Sequence, residues 1–391
     1  MLNTSLSPWP SFTQEEADAV SRVLLSNKVN YWTGQECREF EKEFAAFAGT
    51  EYAVALANGT LALDVALKAM NIGAGDDVIV TSRTFLASAS AIVTAGANPV
   101  FADVDLNSQN ISADTIQTAL TPATKAIIVV HLAGMPAEMD AIMALAEKHK
   151  LWVIEDCAQA HGARYKGRPV GSIGHVGAWS FCQDKIMTTG GEGGMVTTND
   201  KALWLKMWAY KDHGKSYDAV YHREHAPGFR WLHESFGTNW RMMEMQAVIG
   251  RIQLKRMPDW TAKRQANAAK LAQSLSKSAC IRLVEVPDYI EHAQYKFYAF
   301  VNPGRLKTGW TRDRIVDELN ALKVPCYQGS CSEVYLEKAF DNTPWRPQQR
   351  LKNAVELGDT SLMFLVHPTL TEAEIAFCRQ HIETVLTQAC A

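Results

Sequence analysis

Two residues with complementary chemistry, Asp156 and Lys185, stand out in the middle of the chain. Asp156 ends the apolar run LWVIED, and Lys185 follows in the loop SFCQDKIMTTGGEGG. A lysine amine can form an imine with the aldehyde of pyridoxal 5′-phosphate, and a carboxylate can keep that cofactor's ring nitrogen protonated so that the ring accepts electrons. The pair therefore indicates pyridoxal phosphate chemistry and suggests an aminotransferase.

Each of these residues also has an ordinary interpretation. Asp156 could form a structural salt bridge or cap a helix, and Lys185 alone resembles a surface lysine. Gln159 could reach a polar group of the same ligand or a backbone amide. The lysine loop is rich in glycine, which lets a backbone turn tightly and approach a ligand closely. These glycines are Gly190, Gly191, Gly193 and Gly194.

The segment ALANGTLALDVAL predicts a place for the phosphate of such a cofactor. Its Asn58, Gly59 and Thr60 precede a predicted helix, and the unpaired amides and dipole at a helix start favour an anion. An ordinary helix cap is the alternative. Phe85 could lie flat on an aromatic ring or belong to the core, and Ser180 could bind a ligand or its own backbone.

Short apolar runs alternate with helical patterns around these residues, which predicts an α/β fold with a largely parallel sheet. The predicted strands are 76–82, 98–105, 125–132, 151–157, 177–182 and 193–199, and the helices between them are 60–71, 85–96, 112–121 and 138–150. In the last of these helices apolar residues recur at helical spacing, so one face should pack on the sheet.

The texture of the sequence changes after about residue 245. A long basic helical stretch over 243–277, broken by Pro258, is expected to lead into a smaller domain. There, 296–302 predicts a strand, 311–323 a helix begun by Thr311, and 371–386 the last helix. We expect a large domain over residues 1–250 and a small C-terminal α+β domain over residues 251–391.

The composition is that of an ordinary globular enzyme. The 391 residues carry 39 Lys and Arg against 42 Asp and Glu, for a net charge of −3, so no global basic field indicates nucleic acid. No basic N-terminal leader and no long apolar span are visible, and we expect a cytoplasmic protein without membrane partners. The eight cysteines lack the spacing of a metal site and are expected to be reduced thiols.

The chain resembles the sugar aminotransferases of the DegT/DnrJ/EryC1/StrS family, which have the type I aminotransferase fold. The resemblance covers nearly the whole chain. Its most specific part is EDCAQAHGARYKGRPVGSIGHVGAWSFCQDKIMTTGGEGGMVTTND, supported by YWTGQECREFEKEFAAFAG, ANGTLAL, TFLASASA, GTNWRMMEMQAVIGRIQL and HPTLTEAEI.

The resemblance implies a role for each residue of the predicted cofactor site. Lys185 would form the imine with the cofactor, Asp156 would pair with the ring nitrogen, and Gln159 would meet the phenolic oxygen. Phe85 would stack on the ring. The residues implied to hold the phosphate are Gly59, Thr60 and Ser180.

The family also implies a homodimer with shared active sites. Asn239 matches a residue that reaches the cofactor phosphate of the neighbouring subunit. Thr33, Gly34 and Arg241 match positions near the substrate cleft, although an interface ion pair is an equal interpretation of Arg241. Two departures, Lys211 where many relatives have arginine and the segment VPCYQGSCSEVYLEKAF, leave the sugar unassigned.

The expected activity is transfer of an amino group from L-glutamate to a keto sugar carried on a nucleotide, with pyridoxamine 5′-phosphate as the intermediate form. A 4-keto-6-deoxy sugar destined for a surface polysaccharide or O-antigen is the favoured acceptor, on family frequency alone. A free keto-cyclitol of the inosose type is the alternative. Basic residues that could meet a diphosphate are Lys211, Lys215, Arg223, Arg230 and Arg241.

Two other classes of protein are weaker alternatives. An intact acid and lysine pair without an added DNA-binding segment argues against a non-catalytic regulator. No glycine fingerprint follows the first predicted strand, which argues against an NAD-dependent dehydrogenase.

Overall fold

The computed structural model describes residues 6–224 and 230–391. Its helices are α1 (Gln14–Leu25), α2 (Glu36–Ala48), α3 (Gly59–Ala69), α4 (Leu86–Thr94), α5 (Ala113–Ala119), α6 (Met139–His149), α7 (Lys201–Tyr210), α8 (Tyr217–Tyr221), α9 (Glu244–Leu275), α10 (Arg312–Ala321), α11 (Lys352–Thr360) and α12 (Glu372–Ala389). Its strands are β1 (Tyr52–Leu56), β2 (Asp77–Thr81), β3 (Asn98–Ala102), β4 (Thr124–Val130), β5 (Trp152–Asp156), β6 (Arg164–Tyr165), β7 (Arg168–Pro169), β8 (Val176–Ser180), β9 (Gly194–Thr198), β10 (Ile281–Leu283), β11 (Ile290–Glu291), β12 (Phe297–Val301), β13 (Cys326–Tyr327) and β14 (Ser361–Phe364).

A seven-stranded sheet in the described chain has the order β1-β9-β8-β5-β4-β2-β3. The strands from β8 to β3 pair in parallel, whereas β9 runs antiparallel to both β1 and β8. The predicted α/β fold with a mostly parallel sheet is therefore confirmed. Parallel order brings the carboxyl ends of β2, β4, β5 and β8 to one edge, the place where open α/β sheets bind ligands.

Both faces of this sheet are buried, which explains why its strands are continuous apolar runs. Successive residues point to opposite faces: Val78 and Val80 of β2 join one cluster, with α3 and α7, while Ile79 joins another, with α5 and α6. The face of α6 that was predicted to pack does so through Met139, Ile142 and Ala146.

A second sheet of four antiparallel strands, in the order β10-β12-β14-β13, lies in the C-terminal part of the described chain. The second half of α9, together with α10 and α12, covers one face through residues such as Leu271, Leu319 and Ile382. On the other face, Phe300 and Met363 pack with residues of the large sheet's helices. The predicted division at residue 250 falls within α9 and stays a prediction.

Most of the predicted elements are present. The predicted strand 296–302 is β12, and α10 begins after Thr311, whose side chain accepts a hydrogen bond from the Arg314 amide at 3.1 Å. The expected break at Pro258 is wrong, because α9 runs through it. Proline removes one helical hydrogen bond, but the buried Gly250, Met257 and Leu271 hold both halves of α9 against the protein. Packing thus outweighs the local loss.

The expectation of reduced thiols is wrong for two of the eight cysteines. Cys280 and Cys390 form a disulfide with a Cα–Cα distance of 5.6 Å. Cys390 follows the end of α12, and Cys280 directly precedes β10. Cys390 also forms an isolated β-bridge with Leu306. The remaining cysteines are free.

Within the described residues, none of the helices combines the length and the apolar character needed to cross a membrane.

Candidate active site

A cleft of about 580 Å³ opens at the carboxyl edge of the parallel strands. Its walls come from the ends of β5 and β8, the starts of α3 and α4, and the loop after β8. Seven of the predicted site residues line it: Gly59, Thr60, Phe85, Asp156, Gln159, Ser180 and Lys185. A larger groove of about 710 Å³ beside the amino end of β5 contains none of them.

The start of α3 forms one end of the cleft. The Asn58 side chain caps the helix by accepting a hydrogen bond from the Leu61 amide at 3.1 Å. A Cβ atom on Gly59 would lie 2.5 Å from the Cβ of Ser180, so only glycine lets α3 approach β8 this closely. The Ser180 hydroxyl accepts from the Cys182 amide at 3.3 Å. The helix-start amides and this hydroxyl therefore converge on one small space.

Asp156, the last residue of β5, is buried at the bottom of the cleft. Its carboxylate accepts a hydrogen bond from the Ser88 hydroxyl at 2.8 Å and from the Ala158 amide at 3.1 Å. Because the Ser88 hydroxyl donates to Asp156, it accepts from Thr84 at 2.9 Å. Among the described residues Asp156 has no ion-pair partner within 4.0 Å. Burial raises its pKa, opposed by the two hydrogen bonds and by the charge of Lys185.

Gln159 and Phe85 both line the cleft. The Ala133 amide donates to Oε1 of Gln159 at 2.8 Å, which fixes the side chain and leaves its NH₂ group as a donor. Phe85 is 71% exposed, so its ring is not the core residue that the sequence allowed. A large apolar ring left uncovered in a cleft is available to stack on a flat ligand.

Lys185 lies in the loop after β8, and its side chain is only 16% exposed. The indole Nε1 of Trp9 donates to the Lys185 carbonyl oxygen at 2.8 Å and so anchors the loop. The ammonium nitrogen of Lys185 is 3.7 Å from Asp184 and 5.4 Å from the centre of the Tyr295 ring. Lys185 lines the cleft, and its amine is held there close to Asp184 and Tyr295.

A group of buried titratable residues lies at the edge of β5, close to Asp156. His131 Nε2 donates to Glu155 at 2.9 Å, and Nδ1 accepts from the Ala137 amide at 3.1 Å. The Glu155 carboxylate also accepts from the amides of 171, 173 and 174. Both imidazole nitrogens of His131 and both carboxylate oxygens of Glu155 are thus occupied by hydrogen bonds. Those to Glu155 hold the loop 171–174 against β5.

Three predicted site residues lie outside the cleft within the described chain. Asn239 and Thr33 are exposed and do not line it. Arg241 donates to the buried Asp212 at 2.7 Å, which is an ion pair within one chain. These positions leave the predicted contacts to a neighbouring subunit or to substrate as predictions.

The other basic residues considered for a diphosphate are mostly engaged. Lys211 is buried, with its nitrogen 3.3 Å from the centre of the Tyr31 ring, and burial lowers its pKa to about 8. Lys215 pairs with Asp212 at 3.0 Å. Arg223 forms ion pairs with two acidic side chains, and Arg230 is exposed.

Sequence reasoning missed several residues of the cleft. Ser88 lies in the first turn of α4, three residues after Phe85, and this short spacing indicates that both residues lie near the same helix start. Tyr295 and Lys296 immediately precede β12 and line a second space of about 490 Å³ that shares Lys185 with the cleft. Nothing local in the sequence connects them with Lys185.

Comparison with known proteins places the chain among aminotransferases. Residues 10–382 match the model of the DegT/DnrJ/EryC1/StrS aminotransferase family. The crystal structure of an aminotransferase from Psychrobacter cryohalolentis is 66% identical and superposes with a TM-score of 0.97, covering 98% of this chain and 99% of that one. The GDP-perosamine synthase of Caulobacter vibrioides is 38% identical over 372 residues, 94% of each chain. The spore coat polysaccharide biosynthesis protein SpsC of Bacillus subtilis is 39% identical over 312 residues, 79% of this chain and 78% of that one.

Proposed function

We propose, from the premise that this chain belongs to the DegT/DnrJ/EryC1/StrS aminotransferase family, that it transfers an amino group from L-glutamate to the keto group of a nucleotide-linked sugar. The chain is a sugar aminotransferase that depends on pyridoxal 5′-phosphate. The observation that carries the proposal is that one cleft contains Lys185, the exposed ring of Phe85 and a buried Asp156 that has no ion pair in the described chain.

The cleft fits this cofactor on three observations. The start of α3, closed to any residue larger than Gly59, matches a phosphate group. The exposed ring of Phe85 offers a flat apolar surface. The buried Asp156 carboxylate has two hydrogen-bond donors but no ion-pair partner among the described residues, and a protonated ring nitrogen would supply one.

Pyridoxal 5′-phosphate, when bound, supplies an aldehyde and an electron-accepting ring through which an amino group passes from one reactant to the other. Asp156 holds the proton on the ring nitrogen, and Ser88 keeps that carboxylate ionised and in place. The NH₂ group of Gln159 would donate to the phenolic oxygen of the bound cofactor. Lys185 would hold the cofactor covalently at rest and, once released, would move the proton at the reacting carbon.

The relatives support a nucleotide-linked sugar as acceptor. The name GDP-perosamine synthase gives a GDP-linked product, and the name of the Bacillus subtilis relative gives polysaccharide biosynthesis. We extend this to a 4-keto-6-deoxy sugar used for a surface polysaccharide or O-antigen, and to a cytoplasmic site of action. A free keto-cyclitol is the outcome that would replace the nucleotide-linked sugar.

A homodimer with shared active sites is part of the proposal. The segment that carries Asn239 exposes large apolar side chains, with Trp231 90% and Phe236 99% exposed, and Met243 49% exposed. A second copy of the chain would cover them. Asn239 would then reach the cofactor phosphate of the partner.

The test is to load the purified protein with pyridoxal 5′-phosphate, add L-glutamate, and follow amination of a panel of nucleotide-linked keto sugars and free inososes by mass spectrometry. We expect turnover of at least one nucleotide-linked keto sugar, and none with Lys185→Ala as the control. Amination of inososes alone would refute the nucleotide-linked acceptor. Amination by the control would refute the role of Lys185.

A further inference from the structure

The cleft continues past Lys185 into a second space of about 490 Å³. The start of β12 and the loop after β13 form its far wall, so this part lies between the two sheets. Phe85, Gln159, Asp184 and Lys185 line both spaces. A reactant that meets the cofactor therefore has room on this side.

Lys296 is the unexplained residue of this second space. It is only 8% exposed, yet it lines the cleft. Its ammonium nitrogen forms no hydrogen bond or ion pair with any residue that the structure describes, and it lies 4.7 Å from the centre of the Tyr295 ring. Lys185 lies 5.4 Å from the centre of the same ring. The amines of Lys185 and Lys296 therefore both lie close to the Tyr295 ring.

Arg264 adds a second buried positive charge behind Lys296. It is 1% exposed, and one of its nitrogens donates to the Tyr295 carbonyl oxygen at 3.4 Å. Its Nε and Nη2 atoms have no hydrogen-bond partner in the described chain. Burial lowers the pKa of Arg264 to about 9 and that of Lys296 to about 8.

The nearby carboxylates form no ion pair with Lys296 or Arg264 in the described chain, although the charge of Asp184 acts on Lys296 and opposes the lowering of its pKa. Asp184 accepts a hydrogen bond from the Tyr295 hydroxyl and is the carboxylate closest to Lys185. Glu337 lines the far end of the space. Burial lowers the pKa of His367, which faces Arg264 and Lys296, to about 3, so it is neutral. An ammonium on a largely buried side chain without an ion pair is costly and gains most from an anion that arrives with a ligand.

We propose that Lys296 binds the α-carboxylate of the amino donor, with Arg264 strengthening the positive potential behind it. This inference rests on the proposed function, because it names the group of the donor that this half of the cleft recognises. The α-carboxylate is bonded to the carbon whose proton Lys185 moves, so its binding group must lie beside Lys185. The diphosphate of a nucleotide-linked sugar is separated from the keto carbon by part of the sugar ring and fits a more distant position.

The test compares wild type, Lys296→Met and Lys296→Arg, all loaded with pyridoxal 5′-phosphate. Methionine removes the charge but keeps the length of the side chain, and since no hydrogen bond is lost we expect the variant to fold, checked by its melting temperature. Lys166→Met is the matched control, because Lys166 is half exposed and pairs with Asp140 far from the cleft. The probe is glutarate, a dicarboxylate that cannot react, and its dissociation constant is measured by calorimetry.

Loss of one charge-assisted hydrogen bond predicts that Lys296→Met binds glutarate on the order of 10- to 100-fold more weakly than wild type. Lys296→Arg should restore most of that affinity, and Lys166→Met should match wild type. In single-turnover experiments the half-saturating L-glutamate concentration should rise by a similar factor in Lys296→Met, while that of the keto sugar should change less than about twofold.

Equal glutarate binding by Lys296→Met and wild type would overturn the inference. A loss confined to the keto-sugar half-reaction would also overturn it, because the anion would then be the diphosphate. Failure of the wild-type protein to use L-glutamate at all is a different result, which refutes the proposed donor. The glutarate measurement separates the two, since it requires no turnover.

Discussion

The hydrogen bond from Ser88 to Asp156 gives a sharp test of how the cleft keeps a cofactor ring protonated. Ser88→Ala removes the 2.8 Å hydrogen bond to the buried carboxylate and leaves the one from the Ala158 amide. Since Ser88 favours the ionised form of Asp156, its loss should raise the pKa of this carboxyl further. A carboxylate that takes up a proton no longer holds one on the ring nitrogen.

The size of the effect follows from the burial of this pair. A hydrogen bond to a charged group contributes about 1.5–3 kcal/mol, and one pKa unit corresponds to about 1.4 kcal/mol. The pKa of Asp156 should therefore rise by about one to two units. If the whole loss acted on the transition state, the rate would fall about 10- to 100-fold. Because Ala158 still donates, we expect the lower end, about 10-fold.

The assay is the pH dependence of the single-turnover reaction with L-glutamate. The acid limb of the profile should move to higher pH in Ser88→Ala, because Asp156 must be ionised to act. Ser90→Ala is the matched control, since Ser90 lies on the same helix and its hydroxyl donates to the Ala87 carbonyl oxygen at 3.4 Å. We expect Ser90→Ala to match wild type.

Unchanged rate and acid limb in Ser88→Ala would refute the reasoning. An equal loss in Ser88→Ala and Ser90→Ala would also refute it, because the cause would then be general damage to α4.

Three further predictions concern single residues of the cleft. Asp156→Asn should raise the melting temperature of the cofactor-free protein at pH 7, because burial raises the pKa of Asp156 above its unfolded value and so makes the ionised form costly. The gain in melting temperature should disappear as the pH falls through the folded pKa of Asp156. Thermal unfolding at several pH values tests this, and a gain that does not change with pH would contradict it. Phe85→Ala should leave the melting temperature of the cofactor-free protein nearly unchanged, since the residue is 71% exposed. It should weaken pyridoxal 5′-phosphate binding, measured by titration, about 2- to 10-fold because a stacking contact is removed. Equal affinity of variant and wild type would argue against stacking. Gly59→Ala should weaken the same binding by about 10-fold or more, because its Cβ would lie 2.5 Å from the Cβ of Ser180, whereas Gly73→Ala, with 3.7 Å to its nearest neighbour, should bind normally.

The parts of the site that lie at strand ends could be predicted from the sequence. Asp156 and Ser180 each close an apolar run, and parallel pairing forces such ends to one edge of the sheet. Gly59 and Thr60 begin a helix with a recognisable cap. At these positions the local sequence pattern agrees with the burial in the structure, so the strands and the helix start that form the cleft can be predicted from the sequence.

The parts that depend on distant packing could not be predicted. Lys296 meets Lys185 because the second sheet packs against the first, and no local pattern encodes that contact. Cys280 and Cys390 are 110 positions apart and pair because α12 ends beside β10. Pro258 stays helical because both halves of α9 are packed. In each case long-range contacts outweigh a local preference.

The covalent link between Lys185 and the cofactor is the claim on which the account depends most. The most direct measurement is to load the protein with pyridoxal 5′-phosphate, reduce it with borohydride, digest it and locate the modified lysine by mass spectrometry. We expect the reduced cofactor to be attached to Lys185 in nearly every molecule and to be absent from Lys185→Ala. Attachment to another lysine such as Lys296, or no stable attachment in the wild-type protein, would contradict it.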